Sequence, residues 1–134
     1  MVKKWKSKSL TRILSEIERF SEENNYAIIV EGKRDKNALI KFGIKEDKII
    51  LGAYKNADKI IGDITNYNGA IFLYDLDRTG KRKTEYLCSV IYSEGINVNK
   101  FYSSELENAG ITHIEEISSM LEEEPRHVFY THEL

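Results

Sequence analysis

The sequence predicts an α/β domain: four parallel strands in the order 2-1-3-4, helices on both faces of the sheet, and an added N-terminal helix. Three observations predict it. Short continuous apolar runs such as Ala27-Ile28-Ile29-Val30 and Ala70-Ile71-Phe72-Leu73-Tyr74 suit strands buried on both faces. Segments of helical period alternate with them, which implies a parallel sheet with crossover helices. The only proline is Pro125, so the first ~120 residues offer no proline-rich linker at which to divide the chain.

Leu10, Ile13, Leu14, Ile17 and Phe20 recur at helical spacing, with Ser9 as the N-cap. The run ending at Val30 is the first strand. Ala38, Leu39 and Phe42 mark a second helix that closes at Gly43, a C-cap glycine. Lys48-Ile49-Ile50-Leu51 is a short second strand, and Ala57, Ile60, Ile61 and Ile64 give a third helix. The run ending at Tyr74 is the third strand. Tyr86, Leu87, Val90 and Ile91 give a fourth helix closed by Gly95, followed by a weak strand at Ile96-Asn97-Val98. Ile114, Ile117, Met120 and Leu121 mark a last helix. The expected organisation is a single domain over 1–134, with a helical extension at 1–24, a core at 25–100 and a C-terminal helix and tail at 101–134.

With 134 residues, 41% of them hydrophobic and 31% charged, the composition is that of a globular chain with one core. No apolar run approaches the roughly 20 residues that span a bilayer, and the start Met1-Val2-Lys3-Lys4-Trp5-Lys6 lacks the apolar stretch of a secretory signal. The lone Cys88 has no disulfide partner, so a cytoplasmic location without membrane association is expected. The net charge of −2 hides an asymmetry. Residues 1–12 hold five bases and no acid, whereas from residue 101 onward there are eight acids and one base, Arg126.

The informative residues follow the two strands that this order makes neighbours. After Val30 comes Glu31-Gly32-Lys33-Arg34-Asp35. After Tyr74 comes Asp75-Leu76-Asp77-Arg78-Thr79-Gly80-Lys81-Arg82-Lys83. Ligands of open parallel sheets bind beyond the carboxyl ends of the strands, at the switch point. Glu31, Asp75 and Asp77 are therefore expected to converge there. Three close carboxylates repel one another unless a cation neutralises them. Oxygen donors favour Mg²⁺, one ion or two, with Mn²⁺ as the alternative. Gly32 and Gly80 allow close approach of a ligand. Lys33, Arg34, Lys81, Arg82 and Lys83 reach phosphate oxygens, and the helix starting near Asp35 presents free N–H groups.

Each piece alone is commonplace: Asp-x-Asp caps turns and helices everywhere, and Asp35 reads as a helix N-cap. The specificity lies in strand-Glu-Gly followed, forty-odd positions later, by strand-Asp-x-Asp-x-x-Gly. His113, His127 and His132 show no ligand spacing and read as structural or surface residues. Cys88 reads as a core residue. Trp5 and Tyr102 are candidates for base stacking, and the apolar tail Val128-Phe129-Tyr130 is expected to dock.

Ile28-Ile29-Val30-Glu31-Gly32-Lys33 and Ile71-Phe72-Leu73-Tyr74-Asp75-Leu76-Asp77-Arg78-Thr79-Gly80 resemble the Toprim family, the Rossmann-like catalytic domain shared by topoisomerases and primases. The resemblance spans roughly residues 26–100. It extends to the small stand-alone Toprim proteins similar to the nucleases that mature 5S ribosomal RNA. It implies Glu31 as general acid or base and Asp75 and Asp77 as metal ligands, with Glu31 also able to hold metal. The implied phosphate-binding residues are Gly32, Lys33, Arg34, Gly80, Lys81 and Arg82. The chemistry implied is the making or breaking of phosphodiester bonds in nucleic acid. The chain lacks the domains that grip DNA in the larger members. A small nuclease or RNA-processing protein is therefore expected, with RNA favoured over DNA. The alternative is a non-catalytic module that docks on RNA or the ribosome. A receiver-like α/β domain, with Lys100 as its lysine, fits the placement of the acids less well.

Overall fold

The computed structural model describes residues 8–123. Trp5, Pro125, His127, His132, the bases before Lys8 and the tail Val128-Phe129-Tyr130 lie outside them.

The first helix, α1 (Leu10–Asn24), starts where Ser9 accepts the Arg12 N–H at 3.1 Å. It stops at Asn25, a left-handed residue. Strand β1 (Tyr26–Val30) leads into α2 (Lys33–Phe42), which Gly43 terminates at φ +127°. A single 3₁₀ turn, Glu46–Lys48, precedes β2 (Ile49–Leu51). Then come α3 (Ala57–Asp63), β3 (Gly69–Phe72), α4 (Arg78–Ser93) and β4 (Asn97–Asn99). The chain continues through α5 (Phe101–Asn108), a 3₁₀ turn at Ile114–Glu116 and α6 (Ile117–Glu122).

The four strands are all parallel, in the order β2-β1-β3-β4, as the alternation of elements predicts. Ile28 and Ile71 are in register, as are Ile29 and Phe72, so β1 and β3 end side by side. Successive side chains of a strand point to opposite faces. Ile28, Val30, Ile71 and Leu73 therefore pack with Leu10, Ile13, Leu14, Ile17 and Leu39 on one face. Ala27, Ile29, Ala70, Phe72 and Tyr74 pack with Ile60, Ile64, Leu87 and Ile91 on the other. Burial of a large aliphatic side chain contributes about 1.5–3 kcal/mol, and all of these are buried.

Helix α5 is absent from the sequence expectation. Only Tyr102, Ser103 and Leu106 are buried on it, so a polar residue interrupts its apolar stripe. Helix α4 begins eight residues before Tyr86, the first apolar residue that marked it, because its opening turns are basic and polar. Cys88 is buried, and burial pushes its thiol up to about 12.

Candidate metal centre

Leu73 and Tyr74 continue the line of β3 beyond its last paired residue, and the chain then turns at Asp75-Leu76-Asp77 into α4. Asp77 is the N-cap of α4: its Oδ1 accepts the Gly80 N–H at 2.8 Å, which leaves Oδ2 turned outward. Asp75 Oδ1 accepts the Ile114 N–H at 3.0 Å. The Leu76 N–H donates to Thr112 O at 2.6 Å. One backbone hydrogen bond and one from a backbone N–H to a carboxylate thus tie the segment before α6 to the loop after β3.

They bring His113 into the site. Its Nε2 lies 3.3 Å from Asp77 Oδ2, and its Nδ1 lies 3.7 Å from Glu116 Oε2. Glu116 is itself fixed, since its Oε1 accepts the N–H groups of Thr112 and His113 at 3.1 Å each. Asp75, Asp77 and His113 each offer one donor atom, all within 4.8 Å of one another. This is the group among the described residues that can hold a metal ion. Two carboxylates and an imidazole backed by a third carboxylate are a donor set suited to a divalent cation.

The electrostatics agree with a site short of positive charge. Burial raises the Asp75 carboxyl; the Ile114 N–H pulls it back, and Glu31 and Asp77 raise it further. At His113 burial opposes protonation, but Asp75, Asp77 and Glu116 outweigh it and raise the imidazole above its ordinary value.

The residues expected at this rim divide into those the structure brings together and those it engages elsewhere. Asp75 and Asp77 stand together, with His113 as the third donor of the group. Glu31 lies close enough to raise Asp75 and Asp35, and its Oε2 is held by Lys83 Nζ at 2.7 Å. Lys83, though exposed, therefore serves Glu31. Asp35 is not the N-cap of α2. That position is Gly32, and Asp35, three residues on, accepts the Gly32 N–H at 3.1 Å. Gly80 is not an open ligand-facing turn. It lies buried in the first turn of α4, where an added Cβ would stand 2.0 Å from Asp75 O. Lys81 pairs with Glu107, and Arg34 stands 3.7 Å from Glu115. Lys33 and Arg82 are exposed. His113, read from the sequence as a surface or structural residue, belongs to the candidate centre. Its separation from Asp77 has no local period that could reveal it; the one signal was the clustering of His113 with Glu115 and Glu116.

Asp35 gives a pH test. Burial pushes its carboxyl up to about 6, with the Gly32 N–H opposing and Asp75, Glu115 and Glu31 adding to the rise. An unfolded aspartate titrates near ~3.9. The folded state therefore holds this proton more tightly, and ionised Asp35 lowers stability above pH ~6, a penalty relieved as the pH falls towards ~4. Asp35→Asn is expected to stabilise the metal-free protein by about 1–3 kcal/mol at pH 7. It should also flatten the change in stability between pH 6 and 4, both read by urea unfolding.

No protein-family model matches the chain. Over 116 residues it is 32% identical to UPF0292 protein MJ1624 of Methanocaldococcus jannaschii, across 82% of this chain and 88% of that protein. A solved structure of a protein from Aquifex aeolicus matches with a TM-score of 0.74 at 32% identity, over 82% of this chain and 99% of the other.

Proposed function

The chain belongs to the UPF0292 family, and we propose that it is a divalent-metal-dependent Toprim-type protein that cleaves nucleic-acid phosphodiesters, RNA in preference to DNA. One observation carries this reading: a group of side chains able to hold a metal ion, at the end of β3, stands beside a strand-end glutamate, Glu31, at the end of β1. That is the pairing of parts that phosphoryl-transfer chemistry needs.

Asp75 Oδ2, Asp77 Oδ2 and His113 Nε2 would hold the ion, either Mg²⁺ or Mn²⁺. The imidazole nitrogen favours Mn²⁺ as the tighter of the two. When bound, the ion supplies positive charge where negative charge develops on the scissile phosphate. Glu116 keeps the His113 ring in place through the backbone N–H groups it accepts. Glu31 Oε1, the oxygen that Lys83 does not engage, would take a proton from the attacking water as its oxygen bonds to phosphorus, while the P–O bond to the leaving sugar oxygen breaks and that oxygen takes its proton from solvent. Lys33, Arg34 and Arg82, all exposed, orient the substrate's phosphates.

The engagement of Glu31 by Lys83 favours a second reading. In it the same site docks on RNA or the ribosome without turnover, because the glutamate is already neutralised. One assay separates the two. Labelled structured RNA and DNA are incubated in Mg²⁺ or Mn²⁺ with the wild type and with Glu31→Gln. Metal-dependent cleavage that falls about 100-fold or more in Glu31→Gln is expected. Equal cleavage by both proteins removes the proposal. No cleavage by either, together with co-sedimentation with ribosomes, establishes the second reading.

Among the described residues no helix is long and apolar enough to cross a membrane.

A further inference from the structure

Tyr54, in the loop between β2 and α3, has φ +61°, the left-handed region that side chains rarely adopt, and its ring is fully exposed. Such a conformation costs conformational energy, and an exposed ring recovers none of it through packing. The loop is nevertheless firmly held. The Gly52 N–H donates to Val30 O at 2.8 Å, the Ala53 N–H to Glu31 O at 2.9 Å, and the Lys55 N–H to Gly52 O at 3.1 Å. Lys55 Nζ is anchored on Asp63 at 2.6 Å. The ring is thus fixed on backbone bonded to the end of β1, at Glu31.

A second bare ring faces the same space. Tyr86 on α4 is 66% exposed, and it lines with Tyr54 a pocket of about 250 Å³ bounded also by Tyr74 and the Glu31–Lys83 pair. That volume lies below the ~300–1,000 Å³ of sites for drug-sized ligands and suits a single planar ring system. Tyr86 also ends a stripe. Arg78, Arg82 and Tyr86 follow one another at intervals of four on α4, about 6 Å apart along its axis. All three line an open groove that meets the pocket at Tyr86. Arg78 and Arg82 make no ion pair with any described residue. Unpaired cations in a row beside two exposed aromatic rings complement a polyanion whose bases have free faces.

We infer that an unpaired nucleobase stacks against Tyr54 and Tyr86 in the pocket beside Glu31, while the phosphates of its strand run along Arg82 and Arg78. This rests on the metal-dependent reading above for its placement next to the reacting group, and it names the substrate as a single-stranded segment. A base inside a duplex already has both faces stacked and would have to leave the helix to enter.

The test is fluorescence anisotropy in EDTA, with a short labelled single-stranded RNA, its DNA counterpart and the matching duplexes. The proteins are the wild type, Tyr54→Asn and Tyr86→Ala. Asparagine tolerates the left-handed backbone, and alanine favours the exposed helix position, so both variants keep the fold. Mn²⁺ uptake and cleavage are measured on the same three proteins. Single strands are expected to bind at least about tenfold more tightly than duplexes. Each tyrosine variant should lose roughly 5- to 150-fold in single-strand affinity, the effect of one stacked base, with Mn²⁺ uptake unchanged. Equal affinity for duplexes, or wild-type single-strand binding by both variants, overturns the stacking pocket even where metal-dependent cleavage persists. Tyrosine-dependent binding of single strands without any cleavage upholds the pocket and sinks the nuclease reading. A wild type that binds neither kind of nucleic acid sinks both.

Discussion

Replacing Asp75 by asparagine is expected to lower Mn²⁺ affinity by about 100-fold or more and to leave the fold in place. Asp75 has two separable tasks. Its Oδ1 accepts the Ile114 N–H, which holds the segment before α6 against the loop after β3. One of its carboxylate oxygens belongs to the group formed with Asp77 and His113. An asparagine carbonyl still accepts that N–H, so the tether and His113 stay in position, while a negative charge is lost from the donor set. Changes one step removed from a metal typically cost 10- to 100-fold in affinity, so loss of a ligand charge belongs at or beyond the upper end. Isothermal titration with Mn²⁺ and circular dichroism, run on the same sample, check it. Native spectra with unchanged Mn²⁺ uptake would show that Asp75 holds no ion.

Gly80→Ala is expected to cost about 3 kcal/mol or more in stability, an overpacking effect at the top of its usual range. The added methyl would stand 2.0 Å from Asp75 O and 2.6 Å from Asp75 C. Both are backbone atoms, so no side chain can swing away to make room. Either the first turn of α4 moves off the loop or Asp75 itself shifts. The first breaks the Gly80 N–H to Asp77 cap, and the second pulls Asp75 from its donor position. The variant should therefore lose metal uptake together with stability. Gly62→Ala is the control. Gly62 also lies in a helix, α3, with nothing within 4 Å of an added Cβ, and alanine there should be neutral or stabilising. Thermal unfolding of both variants reads the difference. Equal melting temperatures would show that the close contact of Gly80 with Asp75 does not constrain the site.

The stacking pocket and the metal group are held through different contacts. Tyr54 is held through the Ala53 N–H to Glu31 O, whereas His113 is held through Asp75. Neither arrangement depends on the apolar pattern that makes the sheet. The strand ends supply a common platform, and loops bonded to it carry the chemistry.

What the sequence determined by itself is the framework. The helical period, Ser9 at its cap, Gly43 at its C-terminus and the continuous apolar runs ending at Val30 and Tyr74 specify parallel strands in the observed order. Each of these signals is local, because hydrogen bonding and side-chain direction repeat over a few residues. That frame placed Glu31, Asp75 and Asp77 at adjacent strand ends. Only the tertiary structure decided which atoms face one another. It brought His113 to Asp77 through Leu76–Thr112 and Asp75–Ile114, gave Lys83 to Glu31, made Gly80 a packing contact, and hid α5 behind a broken apolar stripe. Those contacts join segments distant in sequence, and no periodicity along the chain encodes a meeting between two loops.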